Sequence, residues 1–215
     1  MRIVDLTYTL NETMVVWPGN QRPNYRWHKR ANSDFCNVTI LEMNAHTGTH
    51  VDSPLHFTVD GAPLDQLPLE HFWGKARLFR FGEKPNKQEV TLKMVKDSGF
   101  ALGDAKIFVL ETGISVLEEQ RDYNYLFPVP SFDLLDWLIE SGVKTFMTDA
   151  TAIDYPEDVD DSPRHKRLFH QGMPVVENLR NLGELPENQD FTICAMPLKM
   201  PGREGSPCRA AAWLE

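Results

Sequence analysis

Four side chains within eleven residues carry the chemistry of this chain: the stretch His46-Thr47-Gly48-Thr49-His50-Val51-Asp52-Ser53-Pro54-Leu55-His56. It holds three of the 7 histidines in 215 residues, where about 0.4 would fall by chance. Neutral imidazole and carboxylate are ligands that Zn²⁺, Mn²⁺ and Fe²⁺ accept, and two histidines four apart followed by an aspartate two later can converge on one ion. His46, His50 and Asp52 are therefore the candidate ligands. Three protein ligands leave a metal an open position, the arrangement of a catalytic site, whereas structural zinc closes its shell with four ligands rich in cysteine. No cysteine lies in the stretch.

A divalent ion so held acidifies water and polarises a carbonyl oxygen, which points to hydrolysis. The leaving group then needs a proton, and His56, beyond the turn at Pro54, titrates near neutral pH and can carry it. The competing reading is a non-catalytic metal-binding protein in which His56 is an extra ligand. His28, His71 and His170 stand without ligand neighbours at useful spacing and are given no role.

The elements that must position these groups are short. Gly48 and Pro54 argue against a regular helix and predict a tight loop or single turn across the motif. Branched and aromatic runs predict strands at Ile3-Leu10, Cys36-Met43, Ala76-Phe81, Ile107-Glu111, Thr145-Asp149, Val175-Asn178, Phe191-Lys199 and Arg209-Leu214. A helix is predicted over Phe132-Ser141, with Ser131 as N-cap and Gly142 past its end. Ser162-Pro163 starts a second over Arg164-Gln171, which carries His165, and a weaker third covers Thr91 to Asp97. Strands alternating with helices in the second half give a mixed α/β class, with residues 1–215 as one unit.

Composition removes other functions. Lys plus Arg number 22 against 31 Asp plus Glu, for a net charge of -9, and no basic stripe follows a phosphate backbone, so nucleic acid is not an expected partner. Hydrophobic residues at 41% and charged residues at 25% describe a soluble globule. No apolar run reaches the ~20 residues of a membrane span. An acidic residue in Met1-Arg2-Ile3-Val4-Asp5 comes too early for a secretory signal, so a cytoplasmic protein is expected. Cys36, Cys194 and Cys208 are odd in number and widely spaced, which suits reduced thiols. G-x-S-x-G, G-x-x-x-x-G-K and G-x-G-x-x-G motifs are absent from the sequence.

The pattern H-x-G-T-H-x-D-x-P-x-H at 46–56 resembles the signature of the cyclase family of metal-dependent hydrolases, which includes bacterial kynurenine formamidase and isatin hydrolase. Further similarities lie at Asp5-Leu6-Thr7, Trp17-Pro18-Gly19, Thr112-Gly113, Pro197-Leu198-Lys199 and Gly205-Ser206-Pro207-Cys208-Arg209-Ala210. The resemblance implies a compact swivelling β/β/α domain, a homodimer or higher homo-oligomer, and a small-molecule substrate. His165 with Glu177 resembles the second metal-ligand pair of the formamidase branch, which implies one or two divalent ions, zinc first and manganese as the alternative. The implied reaction is removal of the formyl group from N-formylkynurenine or a related aryl formamide in tryptophan breakdown. Ring-opening of a cyclic amide such as isatin is the alternative. Trp17 and Pro18 are the expected apolar wall for the aromatic ring. The chain departs from the formamidase pattern over Asp154-Tyr155-Pro156 to Asp161 and at Ile114-Ser115, the kind of loop that sets specificity.

Overall fold

A computed structural model describes residues 1–82, 86–116 and 127–214. Its strands are β1 (Arg2–Asp5), β2 (Asn24–Lys29), β3 (Val38–Glu42), β4 (His50–Asp52), β5 (Trp73–Arg80), β6 (Glu89–Val90), β7 (Ile107–Glu111), β8 (Val129–Pro130), β9 (Thr145–Thr148), β10 (Val175–Glu177), β11 (Phe191–Pro197) and β12 (Gly205–Leu214). Its α-helices are α1 (Leu92–Asp97), α2 (Phe132–Glu140) and α3 (Pro163–Phe169). The mixed α/β class is the one observed.

Eight strands form one sheet in the order β1-β12-β11-β5-β7-β9-β10-β4, and β4 pairs again with β12, so the sheet closes on itself. Pairings β5–β7, β7–β9 and β9–β10 are parallel, while β4 lies antiparallel to both β10 and β12. The central strands are buried on both faces, which is why Ile107–Leu110 reads as a continuous apolar run instead of alternating with polar residues. Alternation instead sorts side chains between two cores. Leu78, Ile107, Val109, Met147 and Val176 join one cluster with Ile193 and Ala210. Their neighbours Phe79, Phe108, Leu110, Phe146 and Val175 pack in another against the helices.

Helix α2 shows what holds the helical layer. Nine residues are too few for a stable isolated helix, but Leu134, Leu135 and Leu138 are fully buried against the sheet, each contributing about 1.5–3 kcal/mol. Ser131 occupies the N-cap position without capping: no backbone N–H of the helix reaches its side chain, and its hydroxyl is spent on Asp133.

Three expectations shift. Strand Ile3-Leu10 stops at Asp5, because the chain then leaves the sheet to line a pocket. The polar segment Asn24–Lys29 is a strand paired only with β3, which its composition conceals. The ligand motif is not a simple loop: residues 50–52 are the strand β4, wedged between β10 and β12, and Pro54–His56 form a 3-10 turn. Backbone pairing on both sides overrides the breaker residues that flank it. Among the described residues, no helix is long and apolar enough to cross a membrane.

Candidate metal centre

The register of three strands assembles the site. Asp52 pairs with Val175 on β10 and with Gly205 on β12, while His50 pairs with Glu177 and with Pro207. His50 and Glu177 therefore sit side by side across one ladder, although 127 residues separate them in sequence. His165, on α3, closes the group from the helical layer.

Two overlapping triads result, His46–His50–Asp52 and Asp52–His165–Glu177, each with its ligand atoms within 4.8 Å of one another. Asp52 belongs to both. Its Oδ1 lies 2.6 Å from His46 Nδ1 and 3.3 Å from His50 Nε2, and its Oδ2 lies 3.8 Å from His165 Nε2. Glu177 stands 3.0 Å from His165 Nε2 and 3.5 Å from His50 Nε2. His50, Asp52, His165 and Glu177 are all buried. The structure thus brings together every residue expected to ligate.

The rings are aimed by second partners. His50 Nδ1 donates to the Gly48 carbonyl at 2.8 Å, which leaves Nε2 facing the triad. His165 Nδ1 meets Asp154 Oδ2 at 2.7 Å. The Asp154 carboxylate also accepts the backbone N–H groups of Arg164 and His165 at 2.9 and 3.0 Å. It thereby does the capping expected of Ser162, whose side chain bonds Val159 instead. Asp154 escaped sequence reading because its partner lies eleven residues on, in a segment marked only as a departure from pattern.

Two glycines are required by space. Gly48 has φ +63°, and a Cβ there would sit 2.4 Å from Leu10 Cδ2. A Cβ on Gly205 would sit 2.6 Å from His46 Cε1, so any side chain on that residue of β12 drives the His46 ring off its place.

Charge tests whether a cation belongs here. Burial works against a charged His50, but the carboxylates of Asp52 and Glu177 outweigh it and raise its pKa to about 9. Burial likewise opposes a charged His165, and hydrogen bonds to Asp154 and Glu177 carry it up to about 10. Glu177 is itself raised, by burial and then by Asp52. Burial pushes Asp52 up as well, yet His50 and His46 hold it well below the usual carboxylate range. The upward shifts of His50, His165 and Glu177 describe a floor short of positive charge that recruits protons, while Asp52 stays ionised within it. His46 Nε2 is buried without a hydrogen bond, although Glu204 Oε1 lies 3.5 Å away. Imidazoles and carboxylates converging with that charge deficit fit one or two divalent cations, which displace the protons on binding.

His56 lies outside both triads. Its ring stacks on His46 with centroids 4.0 Å apart and planes 25° apart, and leans on Phe57 at 4.0 Å. Burial lowers its pKa to about 4, so it is neutral at pH 7. Its ring nitrogens make no hydrogen bond to a described residue.

The site floors a cavity of about 240 Å³ whose other walls include Met14, Val16, Trp17, Phe57, Tyr155 and Val159. Trp17 is where the sequence expected it. Pro18 is exposed and does not line the cavity. Tyr155, not singled out from sequence, is held by the Arg164 guanidinium 5.3 Å from its ring centroid.

Fold and site together define an α/β protein with two candidate metal-ligand triads that share one carboxylate at the base of an aromatic pocket. The family model described as "Putative cyclase" matches residues 4–155. A kynurenine formamidase of Salinibacter ruber is 32% identical over 212 residues, covering 98% of this chain and 96% of that protein. Isatin hydrolase A from Labrenzia aggregata, solved bound to benzyl benzoate, is 26% identical with a TM-score of 0.83, covering 98% of this chain and 93% of that one. A structure described as a potential metal-dependent hydrolase with cyclase activity is 25% identical with a TM-score of 0.78, covering 98% and 96%. The chain belongs to the cyclase family.

Proposed function

We propose that this chain is a metal-dependent amidohydrolase that cleaves the C–N bond of an aryl formamide, N-formylkynurenine or a close analogue. The single observation that carries this reading is Asp52 shared by two ligand triads, with neutral His56 beside them at the base of an aromatic pocket. The relative named kynurenine formamidase, similar along nearly the whole chain, supports it.

In this reading His46, His50, Asp52, His165 and Glu177 hold one or two divalent ions, zinc first and manganese as the alternative. Held by these residues, a divalent ion would supply acidified water and Lewis acidity toward the acyl oxygen. Trp17, with Phe57 and Tyr155, holds the aryl ring and excludes water. His56 accepts a proton at a ring nitrogen as water adds to the formyl carbon. It returns that proton to the aryl amine as the C–N bond breaks and formate forms.

The test is elemental analysis of the purified protein beside turnover of formanilides, cyclic imides and lactones, before and after chelation. Stoichiometric metal and chelator-sensitive formanilide hydrolysis are expected. The similarity to isatin hydrolase A favours ring-opening as the second reading, and isatin turnover well above that of aryl formamides would replace the first with it. Chelator-insensitive turnover would remove both.

The proposed assembly is a homodimer. Among the described residues β2 and β3 pair only with each other, and an isolated two-stranded ribbon is marginal in water. Yet this one leaves Trp27 49%, Leu41 59% and the adjoining Phe35 89% exposed, surface that a second copy would cover. Sedimentation is expected to give twice the 24.6 kDa of one chain, and a single-chain mass would overturn the assignment.

A further inference from the structure

Most of the ionisable side chains around the cavity are engaged with one another. Asp52, His46, His50, His165 and Glu177 face one another, Asp154 is spent on His165 and the start of α3, and the Ser162 hydroxyl is spent on Val159. Thr151 is different. It lines the same cavity, its Oγ1 is buried, and that oxygen has no hydrogen-bond partner among the described residues.

The backbone that carries this hydroxyl is anchored on the side that leads into it. Two residues earlier, the buried Asp149 accepts Thr112 N at 2.7 Å, Thr112 Oγ1 at 2.8 Å, Gly113 N at 3.0 Å and Ser115 N at 3.4 Å. Asn178 N donates to the Ala150 carbonyl at 2.9 Å, and Leu179 N to that of Thr148 at 3.0 Å. The chain leading into Thr151 is therefore clamped to the loop after β7 and to the residues after β10. A buried hydroxyl left unmatched costs free energy unless something arriving in the cavity matches it.

We infer that Thr151 is a specificity-determining residue: its hydroxyl donates to a neutral carbonyl oxygen that the substrate carries on its aryl ring next to the scissile amide. This rests on the proposed aryl-formamide reading. Among the described residues lining the cavity none is a lysine or arginine, so an uncharged acceptor suits this wall better than a carboxylate. The alternative acceptor, the amide's own oxygen, is claimed by the metal floor, which leaves a second oxygen on the ring for Thr151.

The test uses the metal-loaded protein, with Thr151→Val removing the hydroxyl at nearly constant shape and Thr151→Ser restoring it. Binding of 2'-aminoacetophenone, which has the ring carbonyl, is compared with binding of aniline, which lacks it. Thr151→Val is expected to weaken the ketone about tenfold, the effect of one buried hydrogen bond. Aniline affinity stays within twofold of wild type, and Thr151→Ser keeps the preference. Turnover supplies a second readout: for 2'-acetylformanilide Thr151→Val raises KM by a similar factor with kcat little changed, while plain formanilide is unaffected. Equal weakening of both amines, or of neither, overturns the inference. Should wild type hydrolyse neither formanilide, the functional reading fails by itself, and the binding comparison still decides the role of Thr151.

Discussion

Asp52→Ala is expected to strip the protein of metal and abolish turnover. Asp52 is the one carboxylate common to both triads, with Oδ1 toward His46 and His50 and Oδ2 toward His165. Were both triads to hold an ion, its loss would remove a ligand from each at once. Altering a residue that merely supports a ligand typically costs 10–100-fold in metal affinity, so losing the shared ligand should exceed roughly 100-fold. It also leaves Glu177 as the only carboxylate between His50 and His165 in a buried setting, where breaking a charge pair costs about 3–5 kcal/mol. For that reason Asp52→Asn, which preserves volume, belongs beside it, with circular dichroism to confirm folding. Elemental analysis of the folded Asn variant is decisive: a full metal complement would mean that Asp52 does not bridge.

His56→Ala separates catalysis from ligation. The ring lies against His46 at 4.0 Å yet belongs to neither triad, so the variant is expected to keep its metal while kcat falls about 100- to 10,000-fold, the usual worth of a positioned proton carrier. Burial keeps this imidazole neutral at pH 7, which is the form able to accept the proton released when water attacks. KM for an aryl formamide should change far less than kcat, because in the proposed reading Trp17 and Tyr155, and not His56, hold the ring of the substrate. If His56→Ala comes off the column without metal, His56 is a ligand and the non-catalytic reading gains ground. If it retains both metal and full turnover, the proton is carried by another group.

Much of this centre was legible in the primary structure, for a local reason. His46, His50, Asp52 and His56 are close in sequence, and a short turn followed by a three-residue strand cannot carry them far apart. Apolar patterning likewise located the strand Ile107–Glu111, with its continuous apolar run, and the helix Phe132–Glu140, with its apolar stripe. Pairing His165 with Glu177 needed a family resemblance, because nothing in their twelve-residue separation states that one ends on a helix and the other on the strand beside His50.

What tertiary structure alone decided is everything that depends on pairing across distance. The register that sets Glu177 opposite His50, and Gly205 opposite Asp52, follows from closing eight strands into one sheet. That closure is an outcome of total burial, to which each strand contributes only an apolar face. The same closure turned an expected loop into β4, and it brought Asp154 to His165, Gly205 to the His46 ring and Thr151 to the cavity wall. Residue types decided which chemistry was available to this chain. Which atoms face one another was settled only when the sheet closed, because hydrogen-bonded register is a property of pairs of strands and not of either strand by itself.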